Sequence, residues 1–217
     1  MPNKVRIAPS LLSADPLKLG EELQDIEKAG ADLHHVDVMD GHFVPNLTYG
    51  PPLVKSLKKF CQLPLNVHIM VSNPDKVALD YVKAGADILT FHVEASQDPI
   101  ALCNNIRAAG AQVGIALNPD TPLTKIEKYL PYVDQILVMS VFPGFGGQEF
   151  IKESTDKISK LSQMLKAKKL DKVIIEVDGG IHNKNIKEVV SAGATMIVAG
   201  SYIYKSPDRA AAIKSLR

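Results

Sequence analysis

The sequence predicts a single (β/α)8 TIM barrel, an α/β fold, over residues 1–217. Short runs rich in β-branched residues alternate with amphipathic helical stretches along the whole chain, as in a parallel sheet covered by helices. An Ala-Gly-Ala segment precedes four predicted strands, at Gly30, Gly85, Gly110 and Gly193, with spacings close to multiples of one eighth of the chain. No linker rich in proline and glycine divides the sequence, so we expect one domain.

The predicted strands follow one another at intervals that leave room for one helix each. In chain order they are Val5–Leu12, Leu33–Met39, Leu65–Met70, Ile88–Val93, Gln112–Leu117, Gln135–Val141, Lys172–Val177 and Met196–Ala199. Apolar residues at helical spacing place helices between them, including Leu17–Ala29, Asp75–Ala84, Phe150–Lys168, Lys184–Ala192 and Asp208–Leu216. The recurring glycine is typical of a helix C-terminus, where the left-handed conformation suits it. An open doubly wound sheet is the alternative, but that fold has a glycine-rich turn after its first strand, whereas Ser10–Pro16 contains no glycine.

Charge and hydropathy exclude several classes of function. The chain has 25 Lys and Arg against 24 Asp and Glu, so its formal charge of +1 gives no electrostatic basis for binding nucleic acid or an anionic membrane. The longest uncharged stretch lies between Glu188 and Lys205 and is shorter than the roughly 20 apolar residues that span a bilayer. Charged residues interrupt the N-terminal segment, and Cys61 and Cys103 lack metal-type spacing. We therefore expect a cytoplasmic protein with free thiols.

Polar side chains gather where the predicted strands end, which is where barrels of this kind carry their active sites. Because side chains alternate along a strand, His35 and Asp37 share one face of the second strand. His68 lies near the end of the third predicted strand, and Asp178 directly follows the seventh. Two nitrogen and two carboxylate donors suit a borderline divalent cation such as zinc, iron(II), manganese or cobalt. Each residue on its own is also compatible with an ordinary hydrogen-bonded role, but burying unpaired charge costs several kcal/mol, so their coincidence favours a metal centre.

Glycine-rich turns follow the last three strands and favour a phosphate site. Their residues are Gly144, Phe145, Gly146, Gly147, Gly179, Gly180, Gly200 and Ser201. Glycine lets backbone N–H groups approach an anion closely, and barrels commonly hold phosphate after strands seven and eight. Plain turns are the alternative interpretation. The turn after strand six is also a candidate hinge for a lid that excludes water from the site.

Three methionines, Met39, Met70 and Met139, lie near strand C-termini. They are either core residues or a polarisable apolar surface that lowers the dielectric around reacting charge. Ser10 ends the first strand and is a candidate donor to a substrate hydroxyl. His92 and Glu94 end the fourth strand and are interpreted as supporting or structural residues. No lysine ends any predicted strand, so a Schiff-base aldolase mechanism has no nucleophile.

Over essentially its full length the chain resembles the ribulose-phosphate 3-epimerase family. The matching segments are Ile7–Ser10, His35–Asn46, Asn66–Met70, Pro143–Gln148, Glu176–Gly180 and Ala199–Ser201. One departure is visible, because Phe142 occupies a position before the Pro-Gly-Phe-Gly-Gly turn where a polar residue is expected. Since Phe142 matches no ligand, this departure bears on the dynamics of the lid and not on the chemistry.

The resemblance implies a barrel of the ribulose-phosphate-binding type that interconverts D-ribulose 5-phosphate and D-xylulose 5-phosphate in the pentose phosphate pathway. It implies one divalent metal ion per chain, most simply Zn²⁺, held by His35, Asp37, His68 and Asp178. It also implies that Asp37 and Asp178 are the proton acceptor and donor, acting at C3 through a metal-stabilised 2,3-enediolate. By the same likeness, Ser10 and His68 contact the substrate, and the glycine turns hold its phosphate. Inverting a carbon beside a carbonyl needs two such groups on opposite faces.

Two other functions remain compatible with the sequence. An epimerase for a hexulose 6-phosphate would use the same metal, carboxylates and phosphate turns, with room for one more carbon. A non-catalytic barrel that binds a sugar phosphate or a metal is the other alternative, but it gives no reason for Asp37 and Asp178 to face each other. We also expect a homo-oligomer, whose size the sequence does not indicate.

Overall fold

Eight parallel strands form the barrel in a computed structural model, which describes residues 5–217 and so leaves residues 1–4 of the expected domain outside the described residues. The strands are β1 (Arg6–Pro9), β2 (His34–Met39), β3 (Leu65–Met70), β4 (Ile88–His92), β5 (Gln112–Leu117), β6 (Gln135–Met139), β7 (Ile174–Asp178) and β8 (Met196–Ala199). Their order is β1-β8-β7-β6-β5-β4-β3-β2, and a parallel bridge from Ser10 to His35 joins β1 to β2. The predicted barrel is confirmed.

The α-helices are α1 (Leu19–Lys28), α2 (Pro51–Phe60), α3 (Pro74–Ala84), α4 (Pro99–Ala108), α5 (Glu153–Ala167), α6 (Ile186–Ala192), α7 (Ser201–Tyr204) and α8 (Arg209–Lys214). Proline begins three of them because the first helical position needs no N–H donor. Asp98 and Asp208 cap α4 and α8 through their side chains. Between β5 and β6 the described chain forms only 3-10 turns, at Leu123–Lys125 and Glu127–Tyr132.

Several predicted boundaries were wrong by a few residues, and local hydrogen bonds explain two of them. The first strand stops at Pro9, and Leu11–Ser13 forms a 3-10 turn because the Ser10 hydroxyl accepts a hydrogen bond from the Leu12 amide. The seventh strand begins at Ile174 and not at Lys172, since the Val173 amide is bound back to Leu170 in a turn. Similarly, β6 ends at Met139, two residues before the predicted end.

The register of the strands brings the chemically interesting side chains to one end of the barrel. Asp37 lies directly opposite His68 across β2 and β3, and Met139 lies opposite Asp178 across β6 and β7. The outward faces of the strands pack against the helices and form the main hydrophobic core. Among the described residues, no helix combines the length and apolar character needed to cross a bilayer.

Candidate metal centre and active site

Four side chains from three strands meet at the C-terminal end of the barrel. His35 and Asp37 point inward from β2, His68 from β3 and Asp178 from β7, and one ligand atom from each lies within 4.8 Å of the others. Both histidines are fully buried, Asp37 is nearly so, and Asp178 is partly exposed. The structure therefore brings together the two histidines and two aspartates that the sequence predicted.

Asp37 is the centre of this cluster. Its Oδ1 atom lies 3.2 Å from both His35 Nε2 and His68 Nδ1, and its Oδ2 atom accepts a 2.6 Å hydrogen bond from the Ser10 hydroxyl. Three groups thus fix the orientation of one carboxylate. Ser10, predicted to contact a substrate hydroxyl, lies beside Asp37 and lines the same cavity.

The surroundings of the two aspartates differ, and their pKa values are driven apart. Burial raises the pKa of Asp37, but His35 and His68 outweigh burial and hold it well below the ordinary range. Burial, and then the negative charge of Asp37, raise the pKa of Asp178 to about 8. Two titratable groups with separated pKa values form an acid and base pair at neutral pH. Without a bound cation, Asp37 is therefore the more acidic of the two carboxyl groups.

Further polar groups contact the ring nitrogen of each histidine that does not face Asp37. His35 Nδ1 lies 3.1 Å from the Asn66 amide nitrogen and 3.4 Å from Glu176 Oε1, while His68 Nε2 lies 2.9 Å from His92 Nε2. Burial lowers the pKa of His35, but Asp37 and Glu176 outweigh burial and raise it well above its ordinary value. Burial lowers the pKa of His68 to about 4, so that ring is neutral at physiological pH.

The donor set fits a divalent cation. Two imidazoles and two carboxylates are the ligand types that zinc and the other borderline divalent metals accept. No described residue donates a hydrogen bond to the Asp178 carboxylate, so its oxygens are available to a ligand. A cation at this point would also relieve the repulsion between the two aspartates, which adds to burial in raising the pKa of Asp178.

A cavity of about 840 Å³ opens above the cluster. Met39, Met70 and Met139 line it and are nearly fully buried, so they form apolar walls close to the two aspartates. The glycine turns after β6, β7 and β8 line the same cavity. It is therefore large enough for a small ligand that reaches from the aspartates to these turns.

Backbone amides at these turns are suited to an anion. No described residue accepts a hydrogen bond from the amides of Gly180, Gly200 or Ser201. Gly180 has φ +65°, and a Cβ atom there would clash with the backbone of Phe150, so this turn requires glycine. Unpaired N–H groups that converge on a cavity are typical of phosphate sites.

The turn after β6 is tied to its surroundings by two side-chain amides. Gln148 donates to the carbonyl oxygens of Phe142 and Phe145 at 2.7 and 2.9 Å, and Asn46 donates to that of Gly144 at 3.0 Å. Phe145 lines the cavity, whereas Phe142 lies 53% exposed outside it. The departure at Phe142 therefore does not alter the described walls of the cavity.

Sequence reasoning missed two groups of residues. Lys184 and Lys205 are exposed and line the cavity beside the glycine turns, but an isolated surface lysine carries no signal in a single sequence. Glu176 is fully buried inside the barrel and accepts from Asn66 and Gln135. It lies two residues before Asp178 on β7, so strand alternation does place it on the inward face.

Comparisons with known proteins agree with this architecture. A sequence profile described as the "Ribulose-phosphate 3 epimerase family" matches residues 6–204. The chain is 45% identical over 213 residues to the ribulose-phosphate 3-epimerase of Bacillus subtilis, with 98% of each chain covered. It is 48% identical over 220 aligned residues to the protein of the same name from Synechocystis sp., covering 100% of this chain and 95% of that one. The solved structure of 3-hexulose-6-phosphate synthase from Salmonella typhimurium shares the fold, with a TM-score of 0.66 at 22% identity over 97% of this chain and 96% of that chain.

Proposed function

The chain belongs to the ribulose-phosphate 3-epimerase family and is an isomerase acting on carbohydrates, and we propose that it interconverts D-ribulose 5-phosphate and D-xylulose 5-phosphate. The observation that carries this proposal is the pairing of Asp37 and Asp178. Their carboxylate oxygens lie within 4.8 Å of each other, at the base of a cavity whose far wall carries unpaired backbone amides. The proposed role is a step of the pentose phosphate pathway.

The proposed mechanism assigns one proton transfer to each aspartate. Asp37, the more acidic group, takes the proton from C3 of the substrate, and the electron pair of that C–H bond moves into a 2,3-enediolate. Asp178 returns a proton to the opposite face of C3. The two carboxyl groups end the turnover with exchanged protonation states, so a proton must exchange with solvent before the next one.

A divalent cation held by His35, Asp37, His68 and Asp178 would stabilise the negative charge that develops on the substrate oxygens. Zn²⁺ is the proposed ion, and Fe²⁺, Mn²⁺ and Co²⁺ suit the same donors. The buried methionines Met39, Met70 and Met139 exclude water and keep the local dielectric low, which strengthens these charge interactions.

The phosphate of the substrate is proposed to bind the turns after β6, β7 and β8. Amides of Gly180, Gly200 and Ser201 are available to its oxygens, and Gly179 brings the chain into the required bend at φ +122°. The segment of Gly144, Phe145, Gly146 and Gly147 closes the cavity from the other side. Binding energy from this remote group then orients C3 between the aspartates.

The test is turnover of ribulose 5-phosphate in heavy water, with Asp37→Asn and Asp178→Asn beside the wild type. Solvent deuterium should appear at C3 of the product, and each variant should lose epimerisation by several orders of magnitude. The control is Asp120→Asn, which changes an exposed carboxylate on the loop after β5 and should leave the rate unchanged. Near-normal rates in both aspartate variants would refute the two-carboxylate mechanism. A hexulose 6-phosphate tested in parallel, and turned over faster, would reassign the substrate.

Assembly and location are further parts of the proposal. We propose a homo-oligomer that works in the cytoplasm on a small-molecule substrate without nucleic acid. Leu17 and Phe60 are 94% and 45% exposed, and such apolar side chains are common at contacts between subunits. Light scattering on the purified protein would measure its mass in solution, and a monomeric mass at all concentrations would contradict this part.

A further inference from the structure

A line of hydrogen bonds leads from the loop after β5 to the candidate metal centre. Glu94 Oε2 lies 3.2 Å from His92 Nδ1, and His92 Nε2 lies 2.9 Å from His68 Nε2. The other nitrogen of His68, Nδ1, faces Asp37 and the ligand cluster. Neither Glu94 nor His92 belongs to that cluster. The two residues therefore contact the centre only through His68.

Glu94 is held in place independently of the site. Its Oε1 atom accepts hydrogen bonds from the Asn118 amide, at 2.8 Å, and from the Thr121 hydroxyl. Lys157 in turn donates to the carbonyl oxygens of Asn118, Pro119 and Thr121 at 3.0, 2.6 and 2.9 Å, which fixes the loop. Glu94 is thus an anchored carboxylate, and an ionised carboxylate only accepts hydrogen bonds.

The chemistry of imidazole then decides where the protons lie. Because Glu94 accepts, His92 must carry its proton on Nδ1, and a neutral ring leaves Nε2 as an acceptor. His92 Nε2 accepts from His68 only if His68 carries its proton on Nε2. The lone pair of His68 is then on Nδ1, the nitrogen that faces the ligand cluster.

We propose that Glu94 and His92 are positioning residues that hold His68 as the tautomer with a free Nδ1 lone pair and so set the affinity of the metal centre. This inference rests on the proposed function, because it takes the cluster to be a metal site. His92 is fully buried and packs against Phe43 with ring centroids 4.7 Å apart, so its ring cannot turn without moving its neighbours. Groups that orient a ligating histidine in this way typically contribute about 10–100-fold to metal affinity.

The chain offers a matched control for Glu94. On the opposite face of β2, His34 Nε2 lies 3.0 Å from Glu27 Oε1, a carboxylate–histidine pair that faces away from the barrel interior. Glu27→Gln therefore makes the same chemical change in a similar pair that has no described contact with the centre. Glu27 also lies with His34 and Cys61 in a second group of potential ligands, so the compared affinity is that of the ion that shifts the His68 resonances and supports turnover. For that ion, Glu27→Gln should stay within about twofold of wild type, whereas Glu94→Gln should bind zinc about 10-fold more weakly. His92→Phe keeps a ring of similar size, lacks the acceptor, and should lose at least as much.

The experiment measures zinc affinity by competition with a chromophoric chelator, and epimerase rate as a function of free zinc. Glu94→Gln should regain most of its kcat at saturating zinc, which a general structural defect would not permit. Equal zinc affinity in Glu94→Gln and Glu27→Gln would overturn the inference. Wild-type protein that neither binds zinc nor turns over ribulose 5-phosphate would instead overturn the proposed function, and this is decided before any variant is made.

Nitrogen NMR of zinc-loaded wild type, labelled with ¹⁵N-histidine, tests the same point without any substitution. The expected spectrum has a protonated Nε2 and a zinc-shifted Nδ1 for His68, and a protonated Nδ1 for His92. A His68 bound to zinc through Nε2, or a His92 protonated only on Nε2, would refute the assignment even if His92→Phe failed to fold.

Discussion

Replacing Glu94 by Gln should make the free energy of unfolding fall less steeply as the pH is lowered. Burial raises the pKa of Glu94, but the hydrogen bonds that it accepts from His92, Asn118 and Thr121 outweigh burial and lower the pKa from 4.5 to about 2. Since one pKa unit corresponds to about 1.4 kcal/mol, the ionised carboxylate contributes at most about 3 kcal/mol of stability at neutral pH, and less once solvent screening is taken into account. The side chain is 23% exposed, so solvent screens only part of this interaction.

The sign of the effect follows from the lowered pKa. The unfolded carboxyl takes up a proton near pH 4.5, whereas the folded one stays ionised until about pH 2. The contribution is therefore complete above the unfolded pKa and is lost as pH falls toward the folded pKa. Between pH 7 and pH 3.5, wild type should lose about 1.4 kcal/mol relative to Glu94→Gln. At pH 3.5, one unit below the unfolded pKa, the unfolded carboxyl is mostly protonated, whereas the folded one is still ionised.

Urea unfolding at pH 7 and pH 3.5, with chelator present in both proteins, gives the two free energies of unfolding. Wild type should be the more stable protein at pH 7, by an amount that shrinks at pH 3.5. Glu149→Gln is the control, since it removes an exposed carboxylate with no described hydrogen bond and should change stability by less than about 0.5 kcal/mol at either pH. A difference between wild type and Glu94→Gln that is the same at both pH values would refute the linkage to this carboxyl.

Three further predictions follow from the site. Wild type should hold about one divalent ion per chain by elemental analysis, and a His35→Ala, His68→Ala double variant should hold none; full metal content in that variant would contradict the ligand assignment. The unphosphorylated pentulose should lose orders of magnitude in kcat/KM, measured against ribulose 5-phosphate, and comparable turnover would require another role for the glycine turns. Gly180→Ala should lower the free energy of unfolding by about 1–3 kcal/mol, because the new Cβ atom would clash with the backbone of Phe150 at a residue with positive φ. The same variant should weaken competitive inhibition by inorganic phosphate, and unchanged inhibition would place the phosphate site elsewhere.

The parts of the fold that depend on local patterns could be predicted from the sequence. Strand alternation placed His35 and Asp37 on one face, and the register of β2 and β3 then set Asp37 opposite His68. The end of β1 could not be predicted in the same way. There a single side-chain hydrogen bond, from the Leu12 amide to the Ser10 hydroxyl, competes with the strand and ends it three residues early.

The supporting polar groups were less accessible to sequence reasoning because they depend on contacts between distant strands. Glu176 on β7 reaches Asn66 on β3 and Gln135 on β6, and such pairs have no local signature. His92 and Glu94 were recognised only as supporting or structural residues. Their relation to His68 emerges from atomic distances that fix which nitrogen carries a proton.

The difference between the two aspartates shows most clearly what the three-dimensional arrangement adds. In the sequence, Asp37 and Asp178 are the same residue type on inward faces of strands, and nothing local distinguishes acid from base. In the fold, Asp37 contacts His35, His68 and the Ser10 hydroxyl, whereas no described group donates to the Asp178 carboxylate. The charge and hydrogen bonds of His35 and His68 therefore lower the pKa of Asp37, whereas burial and then the negative charge of Asp37 raise the pKa of Asp178. Because three groups hold the Asp37 carboxylate, its position does not depend on what binds in the cavity, whereas the Asp178 carboxylate, which has no described donor, takes its orientation from the ligand that binds there.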